Sequence, residues 1–176
     1  DIEPDMITMA KGLTSGYMAL GAVITSKEIS DTYAKSRDVL RNVATFGGMP
    51  ASCAAGLANL KIMEEEDLVA KSASMGEYIS GELEGLKDHP MVGDIRGLGM
   101  FWGIELVKDK KTKEPIHPLR DVGKLTKMLA ELGLVTRCDN GTIRFMPPLI
   151  MTREEVDESI GIIDQAIGQL EAKLQT

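Results

Sequence analysis

Short apolar runs broken by glycine open the chain, and long helical periods close it. The segment DMITMA, residues 5–10, reads as a short buried strand ending at Lys11. GAVITS, residues 21–26, reads as a second strand, with Gly16 and Gly21 marking turns between the two. Residues 27–36 fit a short helix. In TFGGMP, residues 45–50, adjacent glycines make a turn and Pro50 occupies a first helical position. From Ala51 to about Leu86 the spacing is helical in two pieces. Cys53, Leu57 and Leu60 fall on one stripe, and Met75, Ile79, Leu83 and Leu86 on another. Acidic EEED, residues 64–67, belongs at the solvated junction between them.

The texture changes at DHPMVGDIRGLG, residues 88–99, and a domain boundary is expected there. MFWGIELV, residues 100–107, is a strong strand, followed by the charged loop KDKKTKEPIHP. Val122, Leu125, Leu129 and Leu132 make the next helix face, and Gly133 stops it. IRFM, residues 143–146, is a short strand cut by Pro147 and Pro148. Thr152 and Glu155 form a capping box for a last helix whose inward face is Val156, Ile160, Ile163, Ile167, Leu170 and Leu174. From the texture change onward, residues 88–176, the elements therefore make a compact α+β unit.

Composition narrows the functional classes. The chain has 176 residues, 43% hydrophobic, and a net charge of −7, which argues against a nucleic-acid groove or an anionic membrane surface. Aromatic residues, at 4%, are too scarce for a base-stacking platform. No apolar segment is long enough to span a bilayer, and no signal peptide opens the chain. Cys53 and Cys138 lie far apart without metal-type spacing, which suits reduced thiols in a cytoplasmic protein. NGT, residues 140–142, matches a glycosylation acceptor but lacks a secretory context. Because Asp1 is not an initiator methionine, the sequence is expected to be part of a longer chain.

Two places could carry chemistry. A lysine at the carboxyl end of a strand lies where α/β proteins place ligands, and a tuned amine there can attack a carbonyl to give a Schiff base. Gly12, Ser15 and Gly16 leave room beside Lys11 for a bound planar group. Spacing alone favours a surface lysine that opens a glycine turn. In TFGGMP, adjacent glycines before a helix free backbone N–H groups for an anion, and Thr45 adds a hydroxyl. Here too an ordinary glycine turn is the simpler reading of the pattern alone.

Four of these blocks, in order, resemble the class III aminotransferases, pyridoxal-phosphate enzymes of fold type I. The resemblance implies an α/β fold in which residues 1–87 end the large cofactor-binding domain and residues 88–176 form the small α+β domain. PDMITMAKGLTSGYMALGAV is similar to the family's cofactor-lysine segment, and TFGGMPASCAAGLANLKIMEEE to its next block. RGLGMFWGIEL resembles a small-domain strand, and IRFMPPLIMTREEVDE the closing block. The resemblance implies that Lys11 holds pyridoxal 5′-phosphate as an internal aldimine and later, as a free amine, shuttles a proton between the substrate Cα and the cofactor C4′. It implies that Thr45 contacts the cofactor phosphate of a neighbouring subunit, hence a homodimer with shared active sites. Arg144 matches the position that holds the α-carboxylate in ornithine- and aminobutyrate-type members. Arg137 resembles the mobile arginine of ω-amino-acid and amine transaminases. A bidentate guanidinium fork suits either role, and a solvated or structurally paired arginine is the alternative for each. The implied reaction moves an amino group from an amino acid or amine to a 2-oxo acid in a ping-pong cycle.

The match has departures. Ala19 stands where many members have proline, and Met49 where asparagine or histidine is usual. The family's pyridine-nitrogen aspartate, ring-stacking aromatic and phosphate loop precede the cofactor lysine, so the 176 residues alone are expected to be inactive. An aminomutase of the same fold, a non-catalytic dimerisation piece and a degenerate paralogue remain alternatives. Other motifs carry less. Gly97, Gly99 and Gly103 miss the dinucleotide fingerprint by one residue and suit a strand packed closely on neighbouring backbone. His89 and His117 precede prolines in polar loops and give little support to a triad or a zinc site. The acidic pairs at 64–67 and 154–158 read as solvated helix ends, and the eleven methionines as packing.

Overall fold

A computed structural model describes residues 2–36, 44–116 and 119–174. His117 lies outside the described residues, as do the side chains of Val122 and Leu174. The chain divides into two compact units, Asp1–Asp67 and Leu68–Thr176. This division falls earlier than the texture change at residues 88–99.

In the first unit, β1 (Met6–Met9) and β2 (Ala22–Thr25) form an antiparallel ribbon, with Met6 opposite Thr25 and Met9 opposite Ala22. The strands stand where the apolar runs put them, but β1 is not buried: Met6 is 60% and Ile7 45% exposed. Among the described residues β2 is its only sheet partner, and a single ribbon cannot cover its own faces. Helix α1 (Lys27–Lys35) starts at Ser26, whose hydroxyl accepts from the Ile29 N–H. Helix α2 (Pro50–Glu65) begins with Pro50 in its first turn, as the pattern requires.

The expected apolar stripe of α2 does not form its packing face in this unit. Leu57 is 69% and Leu60 47% exposed, while Ser52 and Gly56 are buried. Ser52, Gly56 and Asn59 share the neighbouring helical face, about 100° round the helix, and small side chains let the helix approach the segment after Lys11 closely. A helical period identifies a stripe but does not say which stripe meets a neighbour.

In the second unit, β3 (Val92–Leu98), β4 (Phe101–Asp109), β6 (Arg137–Asp139) and β7 (Thr142–Phe145) form an antiparallel sheet in the order β3-β4-β7-β6, with the short β5 (Glu114–Pro115) paired to β4. Three α-helices among the described residues complete it: α3 (Leu68–Leu83), α4 (Leu119–Glu131) and α5 (Arg153–Leu174). Ile79 and Leu83 of α3, Leu125 and Leu129 of α4, and Val156, Ile163 and Ile167 of α5 join Ile104 and Ile143 of the sheet in one core. These are the stripes that the sequence periodicity marks. The capping box forms as expected: Glu155 N–H donates to Thr152 Oγ1 at 3.2 Å, and Thr152 N–H to Glu155 Oε2 at 2.8 Å.

The RGLG glycines serve close packing. A Cβ on Gly76 of α3 would lie 2.5 Å from the Gly99 Cα, and one on Gly97 would lie 2.4 Å from the Trp102 ring. Trp102 in turn donates its indole N–H to the Gly99 carbonyl at 2.7 Å, which fixes the β3–β4 turn. Gly99 has φ 56°, a conformation that glycine adopts without steric cost.

Candidate active site

Lys11 lies two residues beyond the end of β1 and opens a 3₁₀ turn, Lys11–Thr14. Its φ is 51°, in the left-handed region that costs a residue with a Cβ about 1–2 kcal/mol. Such strain persists only where the surroundings over-determine it, and it gathers at functional positions. The lysine side chain is exposed, and among the described residues it has no hydrogen bond or ion pair. A Cβ built on Gly12 meets nothing within 4 Å, so the space at the residue after the lysine is open.

The rest of the turn is held from below. Thr14 is 1% exposed and donates its hydroxyl to the Met18 carbonyl at 2.5 Å. Asn59 of α2 donates its side-chain amide to the Gly12 carbonyl at 2.9 Å and to the Leu13 carbonyl at 3.3 Å. One turn earlier, a Cβ on Gly56 would press to 2.8 Å of Leu20 Cδ2. The turn is therefore clamped while its amine stays free. Sequence reading missed Asn59. The small and polar spacing Ser52, Gly56, Asn59 in an otherwise apolar helix was the available signal.

Thr45 opens a turn over residues 45–48, closed by Gly47 N–H to the Ala44 carbonyl at 2.9 Å. Gly48 has φ 71°, and Met49 at the helix N-cap offers no side-chain acceptor. The first N–H groups of α2 therefore lack a side-chain cap, and the helix dipole favours an anion there. No hydrogen bond joins Thr45 to Lys11 among the described residues. The structure gives each its own setting in the first unit.

The two arginines are brought together in the second unit. β6 and β7 form a hairpin through Asn140 at φ 50° and Gly141 at φ 80°, the conformations of a two-residue turn with left-handed centres. The register sets Arg137 directly opposite Arg144 and Asp139 opposite Thr142. Asp139 Oδ2 lies 3.0 Å from Arg144 Nη2 and 3.6 Å from Arg137 Nε. Like charges opposed across strands are unfavourable, and one carboxylate between them offsets that. Oδ2 is buried at ion-pair distance yet accepts no hydrogen bond, so neither guanidinium fork is locked onto it. The dipeptide Asn140-Gly141 is a hairpin signal that the reading of NGT as a glycosylation acceptor passed over.

On the other face of the hairpin, Cys138 and Ile143 are 7% and 0% exposed. Burial, aided by the charge of Asp139, pushes the Cys138 thiol up to about 12. A neutral thiol of that kind is packing, not a nucleophile.

The sequence pattern of the family described as Aminotransferase class-III matches residues 1–167. The aminotransferase YhxA of Bacillus subtilis (strain 168) is 43% identical over 167 residues, which cover 88% of this chain and 36% of that protein. Among solved structures, an (S)-enantioselective omega-transaminase from Thermomicrobium roseum superposes with a TM-score of 0.91 at 37% identity, over 96% of this chain and 38% of its own. An amine transaminase from an uncultivated Pseudomonas species, in a PLP-bound form, gives a TM-score of 0.90 at 31% identity, over 95% of this chain and 39% of its own. The chain thus spans well under half the length of the proteins it matches, and its mixed α/β fold is the corresponding part of a fold type I transferase.

Proposed function

The chain belongs to the class III aminotransferases, and on that premise we propose that it carries the cofactor lysine and the carboxylate-binding arginines of a pyridoxal-phosphate-dependent transaminase. Pyridoxal 5′-phosphate, when bound, supplies an aldehyde that accepts amino groups and a ring that takes up the electron pair left on the substrate carbon. Lys11 would hold it through the ε-nitrogen and, as a free amine, would carry the proton between the substrate Cα and the cofactor C4′. The reading rests above all on Lys11: a strained, unpaired lysine at a strand end, on a clamped turn, beside open space at Gly12.

Thr45 and the uncapped start of α2 receive the cofactor phosphate of a neighbouring subunit, which makes the whole protein a homodimer with shared active sites. Arg144 grips the substrate carboxylate, and Arg137, the more exposed of the two at 75% against 48%, is the arm that moves. The whole protein then passes an amino group from an amino acid or amine to a 2-oxo acid in two half-reactions. No described helix is long and apolar enough to cross a membrane, and both cysteines are free, which fits a reducing cytoplasmic compartment.

A donor and acceptor panel on the full-length protein tests this. Amino transfer to a 2-oxo acid in the wild type, its loss in Lys11→Ala, and a KM for that acid raised about tenfold or more in Arg144→Ala are expected. Full activity in Lys11→Ala overturns the reading.

A further inference from the structure

On one face of the second unit's sheet, side chains form two rows across the strands. The register puts Arg96, Gly103, Arg144 and Arg137 in one row, and Asp94, Glu105, Thr142 and Asp139 in the next. The two ends of these rows differ in charge balance. Arg96 donates to two carboxylates, Asp94 at 2.7 Å and Glu105 at 2.6 Å. Among the described residues Arg144 and Arg137 share only Asp139. The Arg96 end thus has one negative charge in excess, and the Arg144 end one positive charge. Gly103 adds no side chain to the row between them. An anion approaching this face meets repulsion at the first end and attraction at the second.

The attraction is held in check. Asp139 Oδ2, 3.0 Å from Arg144 Nη2, occupies the approach to the guanidinium that a ligand carboxylate would use. Its contact is weak in kind: an ion pair with no hydrogen bond, on side chains 30% and 48% exposed. A carboxylate that brings a bidentate fork geometry can outcompete it.

We infer that Asp139 is a built-in competitor for the substrate carboxylate, a positioning residue that occupies Arg144 when substrate is absent and sets how tightly acidic substrates are held. The inference rests on the proposed role of Arg144. Without Asp139 the arginine pair would carry two uncompensated charges and retain carboxylates, product included, more firmly. With it, the net charge of the site is one, and both guanidinium forks keep their donors. Asp139 acts on binding and touches none of the reacting atoms.

The test is steady-state kinetics of the full-length holoenzyme with a 2-oxo acid that the wild type accepts, comparing Asp139→Asn, Asp139→Glu, Arg144→Ala and the double variant D139N/R144A. Asp139→Asn should lower KM for the 2-oxo acid roughly two- to fivefold, the scale of a partly exposed ion pair, with kcat within about twofold. Asp139→Glu, which keeps the charge, should stay near the wild-type KM. The fall should vanish in the Arg144→Ala background and shrink at high salt. A KM that is unchanged or raised in Asp139→Asn overturns the inference. Asp139→Ser, equally uncharged, must repeat the fall should Asp139→Asn lose its fold, and an unchanged KM there is equally fatal. A wild type that uses no 2-oxo acid defeats the transaminase reading itself. An unaltered KM in Arg144→Ala alone defeats the role of Arg144.

Discussion

The side-chain amide of Asn59 donates to the main-chain carbonyl of Gly12, 47 positions earlier, at 2.9 Å. That bond, with its companion to Leu13, ties α2 to the turn that presents Lys11. A lysine held at positive φ relaxes when the contacts that enforce it are removed. Asn59→Ala should therefore weaken cofactor retention in the full-length protein about tenfold, as the loss of one to two hydrogen bonds near the site dictates. Equilibrium dialysis against pyridoxal phosphate measures it, and wild-type retention would separate the clamp from the lysine.

His89 should give the second unit a pH-dependent stability. Its Nδ1 lies 3.0 Å from Glu171 Oε2 and its Nε2 2.9 Å from Asp164 Oδ1. Both contacts are hydrogen bonds together only when the ring is an imidazolium. Burial opposes that charge, but the two carboxylates outweigh it and raise the His89 pKa above its ordinary 6.5. The stabilisation is then fully present below the ordinary value and is lost as pH rises through the raised one. Melting temperature should fall by a few degrees between about pH 6 and about pH 9. His89→Gln should flatten that slope.

Two glycines on α3 should respond oppositely to the same change. A Cβ on Gly76 would clash with the Gly99 backbone at 2.5 Å, whereas one on Gly81 meets nothing within 4 Å. Gly76→Ala should destabilise by about 1–3 kcal/mol through overpacking. Gly81→Ala should stabilise by about 0.5–1 kcal/mol through lower unfolded-state entropy. Urea midpoints compared at a common slope decide this.

Cys138 should resist thiol reagents. With its thiol pushed up to about 12 by burial and by Asp139, almost no thiolate exists near neutral pH. Disulfide-exchange labelling at about pH 8 should leave Cys138 unmodified in the native protein and modify it once denaturant is added. Rapid native labelling of Cys138 would show that β6 opens.

What the sequence disclosed divides along a physical line. Periodicity located α3, α4 and α5 and their buried stripes, because those stripes pack on elements of the same unit: Ile79, Leu125 and Ile163 all reach one core. It placed β1 and the start of α2 but misjudged their exposure, since burial depends on a partner that no local pattern names. Leu57 and Leu60 read as a core stripe, yet the face that packs on the lysine turn is Ser52, Gly56 and Asn59. The candidate site was legible as separate residues. The pairing of Arg137 with Arg144 followed from the Asn140-Gly141 turn and its two-residue register, which were in the sequence but unread. The small and polar spacing Ser52, Gly56, Asn59 marked Asn59 as unusual, but not its partner Gly12, which lies on an element distant along the chain.

The central claim is that the Lys11 ε-nitrogen is where the cofactor attaches, and borohydride reduction of the pyridoxal-phosphate-saturated full-length protein followed by peptide mass mapping measures it most directly. The account predicts a single pyridoxyl mass increment on the peptide containing Lys11, absent from Lys11→Ala. An increment on another lysine, or none on a saturated wild-type sample, would contradict it.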